Sequence, residues 1–357
     1  MKKPKLPHKL KQPLKRRMKP EERTAEALAD VPRITNETVA EHREEVLSSA
    51  RKYIYPLQHS RRRIVSVSAM LLSAAIAIFI VYCVLALYRF QSTSGFIYDV
   101  TRVVPFPVAK AGPSWVSYES YLFELRRTLH YYENQNKQVN FSDASGKRAL
   151  ARYKEQSLQR VTDDAYVKRL AAQNHVTVTD QEVTNEVNLL RQQNRLGMNN
   201  KVLETVLSEY WGWSLDDFKR ELRQQLLAQK VVAKLDTATQ SRAQQALKQL
   251  QGGADFGQLA GQVSDDITTK ANGGQYAGLI SQSDPSVPPQ VANALFQLKP
   301  GQYSSIINTG AGLEIVKLID QQGDKVHAAH IEFKFADIAT YIQPLEKKNP
   351  PHDYIKV

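Results

Sequence analysis

The apolar and polar positions of this chain follow three successive patterns. From Ile64 to Tyr88 the run IVSVSAMLLSAAIAIFIVYCVLALY holds 25 residues without a charge. At ~1.5 Å per residue such a helix crosses a hydrocarbon core of ~30 Å. Further on, apolar residues recur at helical spacing: Leu215, Phe218, Leu222, Leu226 and Val231 or Val232 mark one face of a long helix. The pattern also predicts helices around Tyr118–Glu133, Lys147–Asn174 and Gln181–Gln193. Two starts are legible in TDQE (Thr179–Glu182) and SLDD (Ser214–Asp217), where a hydroxyl and an acid three residues on cap each other's amides. After Asp236 comes one more helix, SRAQQALKQLQGG, and then short segments divided by Gly and Pro. The runs GLEIVKLID and KVHAAHIEFKF read as strands, and QQGD between them as a hairpin connection.

Charge orients this arrangement. Residues 1–63 carry 17 Lys+Arg against 8 Asp+Glu, so most of the net charge of +12 lies before the apolar run. Arg61, Arg62 and Arg63 abut that run, which predicts an N-terminus inside and everything after Tyr88 outside. The run is too long and too far from the start for a cleaved signal peptide. A nucleic-acid partner is excluded for the bulk of the chain, because the basic excess is a topology signal. Cys83 is the only cysteine and lies in the span, so the exported part has neither disulfides nor thiolate chemistry.

These readings divide the chain into a basic cytoplasmic tail (1–63), a transmembrane helix (64–88), a linker (89–103), an all-helical domain (104–236), a sheet-bearing domain (237–335) and a C-terminal tail (336–357). The Lys/Pro-rich residues 1–33 are expected to be disordered, whereas Asn36–Tyr55 has helix-forming composition. The fold class is α+β, with a small antiparallel sheet and flanking helices.

The motifs after Gln251 come in a familiar order: GADFGQLAGQVSDD, NGGQY, FQLKPGQYS and NTGAGLEIVKL. Together they resemble the parvulin-type peptidyl-prolyl isomerase domain over roughly Gln251–Leu318. Upstream, VAKAGPSWVSYESY, HVTVTDQEVTNEV and LSEYWGWSLDDFKRELRQQLLAQKVV are similar to the N-terminal chaperone region of exported foldases of the SurA and PrsA kind. The resemblance implies a foldase for secreted polypeptides, whose partners are unfolded, proline-containing segments, with lipid contacted only through 64–88.

Prolyl isomerisation breaks no covalent bond and needs no metal or cofactor; it lowers a barrier of ~18–20 kcal/mol by binding the twisted amide best. The resemblance implies a polar edge and an apolar cup. The acid of the S-x-D segment falls on Asp266 and the last strand's threonine on Thr309, while that strand's histidine position holds Glu314. The cup falls on Tyr276, Val287, Val291 and Phe296, with valines where the family has larger side chains. The family's first histidine strand is missing before Gly252. AAHIEF (Ala328–Phe333) resembles it, displaced to the end of the domain, which would bring His330 to the first-histidine position. The alternative is the start of a truncated second repeat.

His327 and His330 stand three apart, so on a strand they face opposite sides and cannot share a metal ion. Tyr210, Trp211 and Trp213 read as core beside a capping box rather than as a client surface. Two classes of function stay open: an active isomerase with Asp266, Thr309, Glu314 and His330 in its cleft, or a holdase that keeps the shell without the activity.

Overall fold

The computed structural model of the protein describes residues 35–54, 57–134, 141–192 and 199–357. Residues 1–33, and most of the connection QQNRLGMNNK, lie outside them. The chain divides into two compact units, Met1–Val81 and Tyr82–Val357.

In the first unit, helix α1 (Asn36–Ile54) is followed by α2 (Leu57–Val84). The stretch Arg63–Arg89 is long and apolar enough to cross a membrane. Its large side chains point outward, Met70 and Ile78 each being 70% exposed, as suits lipid rather than a protein core.

The second unit begins with the last turn of α2 and a π turn at Leu85–Arg89, whose Ala86 and Leu87 are buried. There the chain reverses. Phe90 N–H donates to the Leu85 carbonyl (3.0 Å) and Ser92 N–H to that of Ala86 (2.9 Å), satisfying the helix's last carbonyls. Gln91 makes the turn at φ 48°, a left-handed conformation that glycine usually supplies. Its side chain is pinned on both sides, donating to the Lys356 carbonyl (2.6 Å) and accepting from Lys154 Nζ (2.7 Å). Helix α3 (Gly95–Val103) follows, capped by Ser94 and burying Ile97 and Thr101. The segment 89–103 is therefore an ordered turn and helix packed on the domain, not a linker. Its signal was hidden because only two positions of the nine face inward.

A two-residue turn joins β1 (Pro107–Ala111) to β2 (Ser114–Ser117). After them come α4 (Tyr118–Asn134), α5 (Ala144–Gln173), α6 (Asp180–Gln192), α7 (Asn200–Trp211) and α8 (Leu215–Leu235). Both expected capping pairs form. Thr179 N–H donates to Glu182 at 2.8 Å, and Ser214 and Asp217 complete a reciprocal box at the start of α8. Trp213 is buried and stacks on Phe123 (5.3 Å between centroids), so it is core; Tyr210 is 42% exposed.

The domain expected to be all-helical holds a sheet, and the C-terminal tail completes it. Helix α13 (Ala339–Lys348) packs on α5, and β7 (His352–Asp353) pairs antiparallel with β1 in the order β2-β1-β7. Ile342 (3% exposed) and Ile355 (5%) join the same core as Leu87, Ile97, Val108, Tyr121 and Val231. Tyr166 donates to the Asn349 carbonyl at 2.7 Å and Tyr118 to that of Leu87 at 2.6 Å. One core thus gathers the end of the apolar helix, the helical block and the chain's last twenty residues.

The second domain is an insertion in the first. It enters at α9 (Thr237–Gln251) and leaves at Ala336. Asp236 clasps both strands of the junction: its carboxylate accepts from Thr239 N–H (3.0 Å), capping α9, and from Ala336 N–H (2.8 Å). At 5% exposure this carboxylate is buried, and the hydrogen bonds outweigh burial to hold its pKa down.

Between those points run α10 (Phe256–Val263), α11 (Ile267–Lys270), β3 (Ile280–Ser281), α12 (Pro289–Leu295), β4 (Ile307–Asn308), β5 (Gly312–Gln322) and β6 (Lys325–Lys334). The sheet order is β3-β6-β5-β4, antiparallel throughout. Period-2 alternation gives β5 and β6 two apolar faces. Leu313, Ile315, Ala329, Ile331 and Phe333 pack against α9 and α10. On the opposite face Val316, Leu318, Val326 and Ala328 pack with Ile280, Val287, Val291 and Leu295. The segment carrying His330 is thus a central strand of this sheet, and no second repeat begins there. After it, the chain returns to the first domain.

Candidate functional site

The face that carries Val316 and Ala328 also carries three ionisable residues at its far end. Cross-strand register pairs Glu314 with Glu332 and Val316 with His330, so Glu314 and His330 are diagonal neighbours on one side of the sheet. His330 Nδ1 lies 3.0 Å from Glu314 Oε2, and its Nε2 lies 3.0 Å from Asp266 Oδ2. Asp266 is brought there by α11, which it caps by accepting from Thr268 N–H at 3.0 Å. Thr269, one turn along, donates to Asp266 Oδ2 (2.7 Å) and stands 3.0 Å from His330 Nε2. The ring of Tyr276 covers the imidazole, with centroids 4.4 Å apart.

Both ring nitrogens face carboxylate oxygens, an arrangement that favours the imidazolium, in which both are donors. Burial would lower the His330 pKa, but the hydrogen bond and charge of Glu314, followed by those of Asp266, raise it. Burial also works against the Asp266 carboxylate, yet hydrogen bonds from Thr269, Thr268 and His330 hold its pKa well below the usual range. The Tyr276 phenol is pushed up, first by burial and then by the charges of Glu314 and Asp266. Glu332, opposite Glu314, is raised by burial despite Lys334 nearby. The cluster is closed in: His330 is 6% and Glu314 4% exposed.

A single backbone approach makes this packing possible. Gly274 lies at φ +80°, and a Cβ there would come within 2.2 Å of the His330 carbonyl oxygen. Its own carbonyl accepts from His330 N–H at 2.8 Å. Gly274→Ala is therefore expected to cost on the order of 3 kcal/mol from strain and displacement of β6. Thermal unfolding of the variant checks this, and an unchanged midpoint would mean that the approach is not needed.

The structure brings Asp266, Glu314, His330 and Tyr276 together, and Tyr276 also packs with Val287, Val291 and Phe296 in one apolar cluster, while Thr309 lies elsewhere. Thr309 sits in the β4–β5 turn with its hydroxyl on the Gly312 carbonyl (3.2 Å). It lines a cavity of about 320 Å³ shared with Glu182, Gln229 and Lys230 of the helical domain. Val287 (1% exposed) and Val291 (0%) are buried between α12 and the sheet, in the cluster that Tyr276 and Phe296 border. Phe296 caps the end of α12 and borders a different depression, with Ser281, Asn293 and Gln321. His327 has its own partner, Asp320 at 3.4 Å, apart from His330. Thr269 is a member of the cluster that the sequence reading passed over. Its position three residues after the helix-capping Asp266 was the available signal.

Comparison with known proteins accords with this architecture. Residues 57–232 match the family described as SurA-like N-terminal domain, and residues 226–320 match the PPIC-type PPIASE domain, a rotamase. The chain joins a SurA-like N-terminal domain to a PPIC-type rotamase domain. The rotamase match ends ten residues before His330, so β6 enters that domain from beyond the matched segment. Among relatives, chaperone SurA of Methylobacillus flagellatus is 32% identical over 116 residues, 30% of this chain and 26% of that protein. Periplasmic chaperone PpiD of Escherichia coli is 37% identical over 92 residues, 26% of this chain and 14% of that protein. Foldase protein PrsA of Caldanaerobacter subterraneus subsp. tengcongensis is 25% identical over 219 residues, 56% of this chain and 68% of that protein. The matches with SurA and PpiD thus span about a quarter or less of those relatives' own length.

Proposed function

We propose that this protein is a single-pass membrane chaperone, N-terminus inside, that holds extended segments of unfolded exported polypeptides outside the membrane without isomerising their prolines. The anchored topology is supported by Arg61–Arg63 before the run and by 27 apolar-rich residues at Arg63–Arg89. A chaperone role is supported by the SurA-like domain and by relatives named chaperone and foldase.

The observation that carries the non-catalytic reading is the closed state of the rotamase site. A proline ring needs an apolar cup, yet Val287 and Val291 are in the core and the Tyr276 ring lies on His330. A second carboxyl group, Glu314, occupies the other side of His330 at 3.0 Å, so neither ring nitrogen is left to donate to the carbonyl oxygen of a twisted amide. The isomerase reading is favoured by one feature, the Asp266–His330 contact at 3.0 Å with Thr269 beside it.

Prolyl exchange spectroscopy on a proline-containing peptide, with the full chain in lipid nanodiscs, separates the two. Wild type is expected to leave the cis/trans exchange rate at background while suppressing aggregation of an unfolded client. Accelerated exchange that drops at least tenfold in Asp266→Asn, about 1.4 kcal/mol of transition-state binding, would establish the isomerase instead.

A further inference from the structure

One edge of the three-stranded sheet has no partner strand. In the order β2-β1-β7, β2 is a border, and among the described residues no strand lies beyond it. The bonding of the hairpin decides which of its backbone groups are left over. Gly112 and Pro113 form a two-residue turn, which closes on a bonded pair, Ala111 with Ser114. At the other end Tyr118 N–H donates to the Phe106 carbonyl at 2.7 Å. Bonding alternates along an antiparallel pair, so Ser114, Val116 and Tyr118 turn toward β1. The N–H and C=O of Trp115 and the N–H of Ser117 therefore turn away from it.

On that side lies a groove of about 440 Å³, lined by all four residues of β2. Its floor is one face of α5, where Val161, Ala165 and Lys168 follow at helical spacing, and its far bank is α8, with Arg220, Glu221 and Arg223. Trp115 contributes its backbone here, because its ring lies on the opposite face of the sheet from the buried Val116. That ring stacks on Tyr354 (5.8 Å between centroids), with Lys110 Nζ 5.4 Å above it. The charges of the far bank are already matched. Arg220 holds Glu119 at 2.5 Å, Arg160 holds Glu221, and Asp180 holds Arg223. The groove thus offers main-chain groups rather than an unpaired charge. The strand itself reads SWVS, without the charges or prolines that usually blunt an edge.

The geometry points to β2 as a docking edge, at which an extended segment of an unfolded polypeptide adds a strand that bonds to Trp115 and Ser117 and lies between β2 and α8. The inference rests on the chaperone reading above and gives the client a place and a mode of binding. Strand addition draws its affinity from main-chain hydrogen bonds, so it tolerates varied sequence. With α8 as its far bank, the groove is closed to the edge of a second folded sheet, which singles out a lone extended chain over another copy.

The test uses the full chain in lipid nanodiscs and a fluorescent peptide of alternating threonine and valine with lysine at both ends. Its fully N-methylated counterpart has the same side chains without N–H donors. The plain peptide is expected to bind, and the N-methylated one at least about tenfold more weakly. Trp115→Pro should bind at least about tenfold more weakly than Trp115→Thr, because both lose the ring and only proline loses the outward N–H. Residue-resolved hydrogen exchange of wild type should show the amides of Trp115 and Ser117 slowing about tenfold or more with the peptide bound, and this readout decides the matter if Trp115→Pro fails to fold. Binding with no change at those amides, or equal binding by the two variants, would overturn the docking edge. Wild type that ignores the peptide yet suppresses aggregation of an unfolded client would also overturn the edge and leave the chaperone reading standing. Wild type that does neither would overturn both. A dimer that Trp115→Pro dissociates would assign the edge to a second copy, and the proposal would fall.

Discussion

Ending the chain at Phe335 is expected to unfold the domain that holds Leu87 and Val108 while the rotamase sheet keeps its structure. The deletion removes α13 and β7, and with them Ile342 and Ile355 from the core that holds Leu87, Val108 and Tyr121. It also strips β1 of its partner on one edge and leaves the Tyr166 hydroxyl without the Asn349 carbonyl. Truncating one buried isoleucine to alanine costs about 2–5 kcal/mol, and a domain's whole stability is about 5–15 kcal/mol. Losing both side chains and the strand together therefore exceeds what the remainder can support. Hydrogen exchange on the full-length and shortened chains in nanodiscs checks this. Protection should vanish across α4, α5 and α8 and persist in β5 and β6. If α5 stayed protected, the last twenty residues would be an accessory and not part of the core. The point variants Ile342→Ala and Ile355→Ala should each lower the first unfolding midpoint and add when combined, since they enter on different elements.

His330→Ala is expected to destabilise the rotamase domain by about 3–5 kcal/mol, because it strands two carboxylates beside each other in a closed site. A change that removes both charges of the buried pair, Glu314→Leu with His330→Leu, should cost much less than the single change. The pair is an expensive arrangement compared with apolar residues of similar size. The pH dependence of wild type follows from the directions of the shifts. His330 is raised above its ordinary 6.5, so its stabilisation is full below about pH 6.5 and is lost as the pH rises through the higher folded value. Asp266 is lowered, so its contribution is full above about pH 4 and is lost as the pH falls toward its folded value. Thermal unfolding followed from pH 3 to 9 should show a plateau between those limits. His330→Ala should flatten the alkaline fall; an unchanged alkaline limb would mean that another group titrates there.

Much of this fold could be read from residue patterns whose physics is local. The uncharged run Ile64–Tyr88 needed only length and hydrophobicity, and the caps at Thr179/Glu182 and Ser214/Asp217 needed only spacing. The hairpin at Gly323 followed from a turn between two alternating strands, and Gly323 takes the left-handed conformation that such a turn requires. Even the displaced strand was legible. AAHIEF has the alternation of a strand buried on both faces, and it completes the sheet from the C-terminal side.

What escaped was set by contacts distant in sequence. Helix α13 contains Pro344, which reads as a helix breaker, and β7 is two residues long, too short for any period to show. Strands β1 and β2 are only five and four residues long, and their third strand comes from more than 230 residues away. The site divided in the same manner. Glu314 and His330 meet because strand register dictates it and α11 brings Asp266 to them, whereas Thr309 was assigned by motif alone and the turn carries it elsewhere. Val287 and Val291, read from the sequence as cup residues, lie buried in one apolar cluster with Tyr276 and Phe296 beside them.

The clasp at Asp236, where the chain leaves one domain and later comes back, also bears on the order of assembly. A chain is made from N- to C-terminus, so the sheet domain has all its parts once Lys334 has emerged. The domain that holds Leu87 and Val108 must wait for Ile355. Until then its core is open and its apolar side chains are unsatisfied, beside an already finished neighbour. The protein therefore passes through a stage in which it resembles the unfinished polypeptides that it is proposed to hold.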